Sequence, residues 1–166
     1  MQQKIALISF CAALMSAPLV HAENSMKAIV DENNIEQCEL QLITLAEKII
    51  GKNEHRLYVD QPKRNADKYP ITIVGVIDYH DQESHIQFNA MPIDKIGCEV
   101  SYIEAFTLPE TCTTVREQVF KKWKFIGRLS ENSFFLRHKK NLTQNATLSS
   151  VNHGTQCLVT KRDSGI

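Results

Sequence analysis

The stretch from Pro70 to Phe106 constrains the fold more than any other part of the chain. It contains three runs rich in Ile, Val, Tyr and Phe, and two of these runs alternate apolar with polar residues. Polar breaks separate the runs at Asp81–Ser84 and at Pro92–Gly97. Alternation with a period of two, interrupted by turn-forming residues, is typical of antiparallel strands that bury one face. We therefore predict a three-stranded meander here.

The first 22 residues have the pattern of a secretory signal peptide. Lys4 precedes an apolar run from Ile5 to Met15, which is too short to span a bilayer, and Val20-His21-Ala22 provides a signal-peptidase site. We predict cleavage after Ala22 and export to the periplasm or the cell exterior. Residues 23–166 then have a suitable length for a single secreted α+β domain, and no other segment is apolar enough to cross a membrane.

Four cysteines follow the predicted cleavage site: Cys38, Cys98, Cys112 and Cys157. An even number in an exported chain predicts two disulfides, for which three pairings exist. A strand that starts at Cys98 and runs to about Phe106 carries the chain about 25 Å away from Cys98. Because the few residues that follow would have to recover that distance, a Cys98–Cys112 bond is unfavourable. We favour Cys38–Cys98 together with Cys112–Cys157.

Two amphipathic helices are predicted on either side of the meander. Apolar residues recur at three- and four-residue steps from Ile35, so a helix is expected over about Asn34 to Ile50, ended by Gly51. Residues 114 and 117 form a capping-box pattern for a second helix that ends near Lys124. The apolar face expected for this second helix consists of Val115, Val119, Phe120 and Trp123.

Further strands are predicted after the second helix. One hairpin joins Phe125–Leu129 to Ser133–His138, and another joins Ala146–Val151 to Thr155–Thr160 around a turn that contains Gly154. Residues 23–34 and the chain from residue 161 onward are expected to be loose, and residues 52–69 form a long connection in which Arg56–Val59 is at most a short edge strand.

The predicted fold class is therefore α+β, in the order α-βββ-α-ββ(ββ). It consists of a mainly antiparallel sheet of about six to seven strands, packed with two helices on one side and stapled by disulfides. No internal repeat is apparent in the sequence.

Charge is distributed unevenly along the chain although the formal net charge is zero. Residues 23–109 contain 15 acidic and 8 basic residues, a balance of −7, whereas residues 110–166 contain 4 acidic and 10 basic residues, a balance of +6. One interpretation is that the two parts are complementary halves of one fold. The other is a bipolar surface that orients an encounter with a charged partner.

A basic and aromatic segment lies between residues 121 and 140. We regard its cations as a candidate binding face for an acidic protein surface or another anionic group, and their ordinary role as solvated surface charges is the alternative. Nucleic acid is not expected as a partner of an exported protein. The cations are Lys121, Lys122, Lys124, Arg128, Arg137, Lys139 and Lys140, and they bracket Trp123, Phe134 and Phe135.

A second polar cluster marks the tip of the first predicted hairpin. Asp78, His80 and His85 are possible metal ligands there, but their spacing matches no zinc signature. The chain has no nucleophile elbow and no phosphate-binding glycine loop, so we predict no catalytic residue and no cofactor. Asn141 and Asn145 match the glycosylation acceptor pattern, which matters only in a host that glycosylates.

These features together favour an exported, non-catalytic binding protein of inhibitor or immunity type that recognises another macromolecule. One alternative is a protein that holds a small apolar ligand between the sheet and the first helix. Another is a metal-assisted hydrolase that uses the Asp78–His85 hairpin tip. The oligomeric state and the identity of the partner are left open by the sequence.

Overall fold

The computed structural model describes residues 22–60, 67–93 and 97–164, with the side chains of residues 22–24 excepted. Within these ranges the chain forms three α-helices and eight β-strands. The predicted signal peptide, residues 1–22, lies outside the described part of the chain except for Ala22, so its cleavage stays a prediction.

The helices are α1 (Ala22–Glu32), α2 (Glu39–Ile50) and α3 (Cys112–Gln118). The strands are β1 (Glu54–Val59), β2 (Ile71–Tyr79), β3 (Gln82–Ile93), β4 (Gly97–Leu108), β5 (Trp123–Ser130), β6 (Ser133–His138), β7 (Gln144–Val151) and β8 (Gln156–Ser164). The predicted meander is confirmed as β2, β3 and β4. Both predicted hairpins are also present, as β5–β6 and β7–β8, and Gly154 in the second turn has a φ of 88°.

All eight strands belong to one antiparallel sheet in the order β1-β2-β3-β4-β8-β7-β6-β5. The prediction of an α+β fold with a largely antiparallel sheet is therefore confirmed, but the predicted number and order of elements are wrong. The observed order is ααββββαββββ, with one more helix than predicted and eight strands rather than six or seven.

The sheet consists of two four-stranded meanders that meet where β4 pairs with β8. Ile103 lies opposite Arg162, Glu104 opposite Lys161 and Tyr102 opposite Asp163. A pseudo-twofold axis through the Ile103–Arg162 pair relates each strand of one half to a strand of the other. Each half is one helix-containing segment followed by four strands, so the chain has an internal structural repeat that its sequence does not reveal.

The two disulfides occupy equivalent places in the two halves. Cys38 precedes α2 and bonds to Cys98, the second residue of β4, across a Cα–Cα distance of 5.2 Å. Cys112 begins α3 and bonds to Cys157, the second residue of β8, across 4.8 Å. The favoured pairing is confirmed. Each bond ties the start of a helix to the start of the fourth strand in its own half.

The helices of both halves pack on the same face of the sheet, and each half has its own apolar core. In the first half, α1 and α2 cover β1–β4, and the fully buried side chains include Met26, Leu42, Leu45, Ile73 and Phe88. In the second half, α3 covers β6–β8, and the buried cluster includes Val115, Phe120, Leu136, Leu148 and Val159.

The prediction of a loose N-terminus was wrong because residues 22–32 form α1. Met26 and Val30 are buried against α2 and the sheet, with Ile29 partly buried beside them. Asn34, where the next helix was expected to begin, lies outside α2. It adopts a φ of 51° just beyond α1, the left-handed conformation common after a helix end. Helix α2 consequently begins at Glu39, five residues later than predicted.

The second predicted helix is shorter than its apolar pattern suggested. Helix α3 ends at Gln118, Val119 is 55% exposed, and Trp123 begins β5 instead of continuing the helix. The Trp123 backbone N–H donates to the carbonyl oxygen of Phe120, and the two rings pack edge to face with centroids 5.1 Å apart. A tight turn at residues 121–122 thus keeps both aromatic rings against the second core.

Two further segments were predicted with too little regular structure. The Arg56–Val59 segment is part of β1, which pairs with β2 over six residues. The expectation of a frayed tail from residue 161 was wrong, since β8 continues to Ser164 and pairs with β4 and β7. The strand period of two persists there, but the positions on the helix-covered face are occupied by the half-buried Lys161 and the buried Asp163 instead of apolar residues.

Replacement of either disulfide by alanines is expected to destabilise the protein by about 4 kcal/mol, because the bonds close loops of 60 and 45 residues. Urea unfolding of Cys38→Ala/Cys98→Ala and of Cys112→Ala/Cys157→Ala would measure the two losses. The structural equivalence of the bonds predicts losses of similar size. A free energy of unfolding that stays unchanged in either variant would contradict the stapling role of that bond.

Candidate functional site

The face of the sheet opposite the helices carries one row of side chains that crosses all eight strands. The row follows directly from the strand register, in which each member lies opposite the next on the neighbouring strand. In the first half its members are Tyr58, Val74, Gln87 and Ile103, and in the second half they are Arg162, Asn145, Arg137 and Lys124. The pseudo-twofold axis reverses the row, so that Ile103 corresponds to Arg162, Gln87 to Asn145, Val74 to Arg137 and Tyr58 to Lys124.

The second half of this row has a concentration of positive charge. Lys124 and Arg137 lie directly opposite each other on β5 and β6, and Arg162 lies two strands away. Within the described part of the chain, none of the three takes part in a salt bridge. Like charges at directly opposite positions destabilise a sheet by a few tenths of a kcal/mol. The fold therefore tolerates these cations and gains no internal ion pair from them.

A pocket of about 310 Å³ lies at one end of this row. Its lining combines cations with apolar groups and contains no Asp or Glu. The lining residues are Lys124, Ile126, Arg137, His138, Lys139 and Leu142. We name Lys124, Arg137, Lys139 and Arg162 the cationic surface. Three of these four residues, Lys124, Arg137 and Lys139, were predicted as candidates, and the structure brings them together around one pocket.

The other predicted cations divide into two groups. Lys121, Lys122 and Lys140 lie in exposed turns at the same end of the sheet, where the Lys139 N–H donates to the Lys122 carbonyl oxygen at 3.4 Å. Arg128 is separate from them. Its guanidinium lies over the Phe134 ring, 5.2 Å from the centroid, and donates to the Glu131 carbonyl oxygen. Arg128 therefore does not belong to the cationic surface.

The first half of the same face carries an acidic counterpart. Glu54, Asp78 and Glu83 lie side by side on β1, β2 and β3. Five strand spacings separate β2 from β6, which places this acidic group about 24 Å from Arg137 across the sheet. The charge imbalance in the sequence thus corresponds to two structural halves, and its boundary near Pro109 coincides with the boundary between β4 and α3.

The described residues of the hairpin tip do not form the metal site that the sequence suggested. Asp78, His80 and His85 are all exposed. Among the described residues, no three His, Cys, Asp or Glu side chains come close enough to hold a metal ion. Asp78 belongs to the acidic group of the open face, and His85 lies opposite Val76, one position further along that face of β3.

A polar seam separates the two apolar cores on the helix-covered face. Glu104 is only 4% exposed and accepts hydrogen bonds from the Tyr79 hydroxyl at 2.8 Å and the Ser84 hydroxyl at 3.2 Å. The Lys161 ammonium lies 3.5 Å from the other carboxylate oxygen. We name Tyr79, Ser84, Tyr102, Glu104, Lys161 and Asp163 the polar seam. Glu104 on β4 and Lys161 on β8 thus join the two halves through charge as well as through backbone hydrogen bonds.

Asp163 is the pseudo-symmetric equivalent of Glu104 and is fully buried. Its carboxylate accepts hydrogen bonds from the Thr143 hydroxyl at 2.5 Å and from the Gln144 amide at 2.9 Å. No buried side-chain polar atom in the described ranges lacks a hydrogen-bond partner. Each buried carboxylate is therefore fully accommodated, in accordance with the high cost of burying an unpaired charge.

The seam also raises the pKa of two of its own members, Tyr79 and Lys161. Burial and the hydrogen bond to the Glu104 carboxylate raise the pKa of the Tyr79 phenol, so Tyr79 is a neutral donor at ordinary pH. Burial disfavours the Lys161 ammonium, but Tyr102 and Glu104 together outweigh this effect and raise the Lys161 pKa. Lys161 is consequently a cation at ordinary pH, 3.5 Å from the Glu104 carboxylate.

A serine and a histidine that the sequence did not associate also meet in the structure. The Ser25 hydroxyl on α1 lies 2.5 Å from His55 Nε2 on β1, and His55 Nδ1 lies 2.8 Å from the Asn53 carbonyl oxygen. The ring hydrogen therefore goes to a backbone carbonyl and not to the carboxylate that orients histidine in a catalytic triad. We interpret this contact as a structural one that holds α1 against β1.

The sequence pattern missed two parts of the site for different reasons. Arg162 was placed in a frayed tail, because Lys161, Arg162 and Asp163 are all charged and show no apolar alternation. Ile126 was placed in a regular strand, whereas the structure has a register shift between Phe125 and Gly127 that makes Ile126 an extra residue on β5. Such a bulge changes the direction in which side chains point, and no residue pattern in β5 predicts it.

Comparison with protein-family models, with curated proteins and with solved structures found no match for this chain. Among the described residues, no helix is long and apolar enough to cross a membrane. The two disulfides are consistent with an extracellular location.

Glu104→Leu is expected to lower the free energy of unfolding by about 2 kcal/mol, because it leaves the Lys161 charge without its partner. The loss should fall below that of a fully buried pair, since 31% of the Lys161 side chain is exposed. The double variant Glu104→Leu/Lys161→Met is the matched control and should be more stable than the single variant. Equal or lower stability of the double variant in urea unfolding would contradict the ion pair.

Proposed function

We propose that this chain is an exported binding protein of inhibitor or immunity type, which recognises an acidic surface of another macromolecule through its cationic surface. The observation that carries the proposal is the difference between the two halves of one scaffold. At the places where the second half has Lys124, Arg137 and Arg162, the first half has Tyr58, Val74 and Ile103. The fold itself does not require cations at these positions.

The electrostatics of the open face support a role in recognition. The opposite cations Lys124 and Arg137 repel each other in the free protein, so an acidic partner that neutralises them removes an existing cost. Charged groups at an interface also accelerate and orient the encounter between two proteins. The acidic group on β1–β3 of the same face gives the molecule the bipolar character that favours one orientation of a charged partner.

The general properties of the chain fit the same class. Three helices and an eight-stranded sheet stapled by two disulfides provide a rigid framework, which reduces the entropy that binding would cost. The Ser25–His55 contact and the polar seam have structural explanations, since His55 is oriented by the Asn53 carbonyl oxygen and the seam joins β4 to β8.

No observation favours the alternative of a small apolar ligand held between the sheet and the first predicted helix. The side chains that would line such a cavity are fully buried against one another, among them Leu42 and Leu45 from α2 and Ile73 and Phe88 from the sheet. Side chains therefore occupy the space in which such a ligand would lie.

Neutralisation of the cationic surface is expected to abolish partner capture. The protein of residues 23–166 would be immobilised and exposed to the exported proteins of the cells that produce it. The triple variant Lys124→Gln/Arg137→Gln/Lys139→Gln should retain at least about tenfold less of the captured protein than the wild type. Salt should weaken the wild-type complex, because exposed charges are screened.

The control for this experiment removes three charges elsewhere. Lys48, Lys52 and Lys68 are exposed and lie in the first half of the chain, so Lys48→Gln/Lys52→Gln/Lys68→Gln has the same net charge as the test variant and should capture the partner normally. Equal capture by the wild type and the test variant, or no capture at low ionic strength, would rule out the proposed function.

A further inference from the structure

We infer that the pocket on the cationic surface recognises the free carboxyl terminus of a protein chain that ends in an apolar residue. This inference rests on the proposed function, because it names the group of the partner that the same surface would hold. It follows from the composition of the pocket and from its place beside an edge strand.

The pocket combines the two kinds of group that a terminal apolar residue presents. Lys124, Arg137 and Lys139 supply positive charge, while Ile126 and Leu142 supply apolar surface and are 45% and 71% exposed. An α-carboxylate and an apolar side chain branch from a single Cα atom, so one residue would satisfy both. An internal Asp or Glu would bring a carboxylate without an apolar group at the same residue.

His138 also contributes to the lining, but its ring lies on the other face of the sheet, because β6 pairs it with Trp123 and pairs its neighbour Arg137 with Lys124. Its Nδ1 accepts the backbone N–H groups of Lys140 at 3.3 Å and Asn141 at 2.9 Å. These two hydrogen bonds hold the turn that leads from β6 to Leu142 in the pocket lining. The ring is also held by an edge-to-face contact with Trp123, with centroids 5.3 Å apart.

The pocket belongs to the second half only. The position equivalent to His138 in the first half is Gly75, where an added Cβ would lie 2.2 Å from the Arg56 carbonyl oxygen. The first half therefore has no room for a side chain at that position. Ile126, the extra residue of the β5 bulge, also has no counterpart in the regular pairing of β1 with β2.

The size and the surroundings of the pocket agree with a chain end. A volume of about 310 Å³ is at the small end of ligand sites and suits one or two residues. Strand β5, which contributes Lys124 and Ile126, is at the end of the sheet and has a neighbouring strand on one side only. The backbone that leads to the terminal residue can therefore lie along an unpaired strand edge, as in other domains that bind chain termini.

Peptide binding followed by NMR tests this inference on the disulfide-bonded chain of residues 23–166. The probes are a hexapeptide of Gly and Ser that ends in Leu with a free carboxyl group, the same peptide as a C-terminal amide, and an amidated peptide that ends in Asp. The free acid should shift the amide resonances of Ile126 and of residues 138–142. It should also bind at least about tenfold more tightly than either amidated peptide. The Leu amide has no terminal carboxylate, and the Asp amide carries its carboxylate on the side chain instead.

Substitutions identify the groups responsible. Arg137→Gln and Lys124→Gln should each weaken binding of the free acid by about tenfold, whereas Lys121→Gln, a matched change in a neighbouring turn outside the pocket lining, should leave it unchanged. Equal binding of acid and Leu amide, stronger binding of the Asp amide, shifts confined to other residues, or no binding of any peptide would each overturn the inference.

The two proposals fail in distinguishable ways. If partner capture depends on the cationic surface while the free-acid peptide does not bind the pocket, the proposed function stands and the recognition of a chain terminus is wrong. If partner capture does not depend on this surface, the proposed function is wrong whatever the peptides do.

Discussion

The pairing of β4 with β8 is the contact on which the rest of the structure depends. It joins two four-stranded meanders into one sheet, and it is the place where the two apolar cores end and buried polar groups begin. Glu104 and Lys161 lie opposite each other in this pairing, and Tyr79 and Ser84 complete the hydrogen bonds of the carboxylate. A slip of one residue in the register would move these groups to the open face and leave the buried partners unsatisfied, so the seam fixes how the halves are joined.

The repeat of one scaffold within a chain separates the requirements of folding from those of recognition. Both halves have a disulfide between the start of a helix and the second residue of the fourth strand, and both bury a carboxylate at the seam. They differ on the open face, where the first half carries the acidic group on β1–β3 and the second half carries the cationic surface. Stability is therefore provided by features that the halves share, while the proposed binding role depends on features of one half.

The sequence predicted those elements whose side chains follow an apolar period. The meander, both later hairpins and α2 have such patterns. The spacing argument at Cys98 disfavoured one of the three disulfide pairings and left the choice between the other two open. Helix α1 was missed because its apolar positions, Met26, Ile29 and Val30, span little more than one turn within a polar segment. The end of β8 was missed because its buried positions carry Lys161 and Asp163, whose burial depends on Glu104, Thr143 and Gln144 from other strands.

The candidate site was predictable in composition but not in arrangement. The basic segment was recognised from its charge, yet only the register shows that Lys124 and Arg137 are opposite each other and that Arg162 joins them. Arg128 was included because it is near in sequence, and the bulges of β5 instead place it over Phe134. These positions depend on the pairing of β8 with β4 and β7, and a local residue pattern holds no information about that pairing.

Native-state hydrogen exchange along the sheet tests the central role of the seam most directly. If the β4–β8 pairing unites the two halves, the hydrogen-bonded amides of β4 and β8 should exchange only through global unfolding, with a free energy of opening equal to that of the whole protein, while the edge strands β1 and β5 open more easily. Exchange of β5–β8 as a unit at a lower free energy than β1–β4, with the seam amides open in that state, would contradict it.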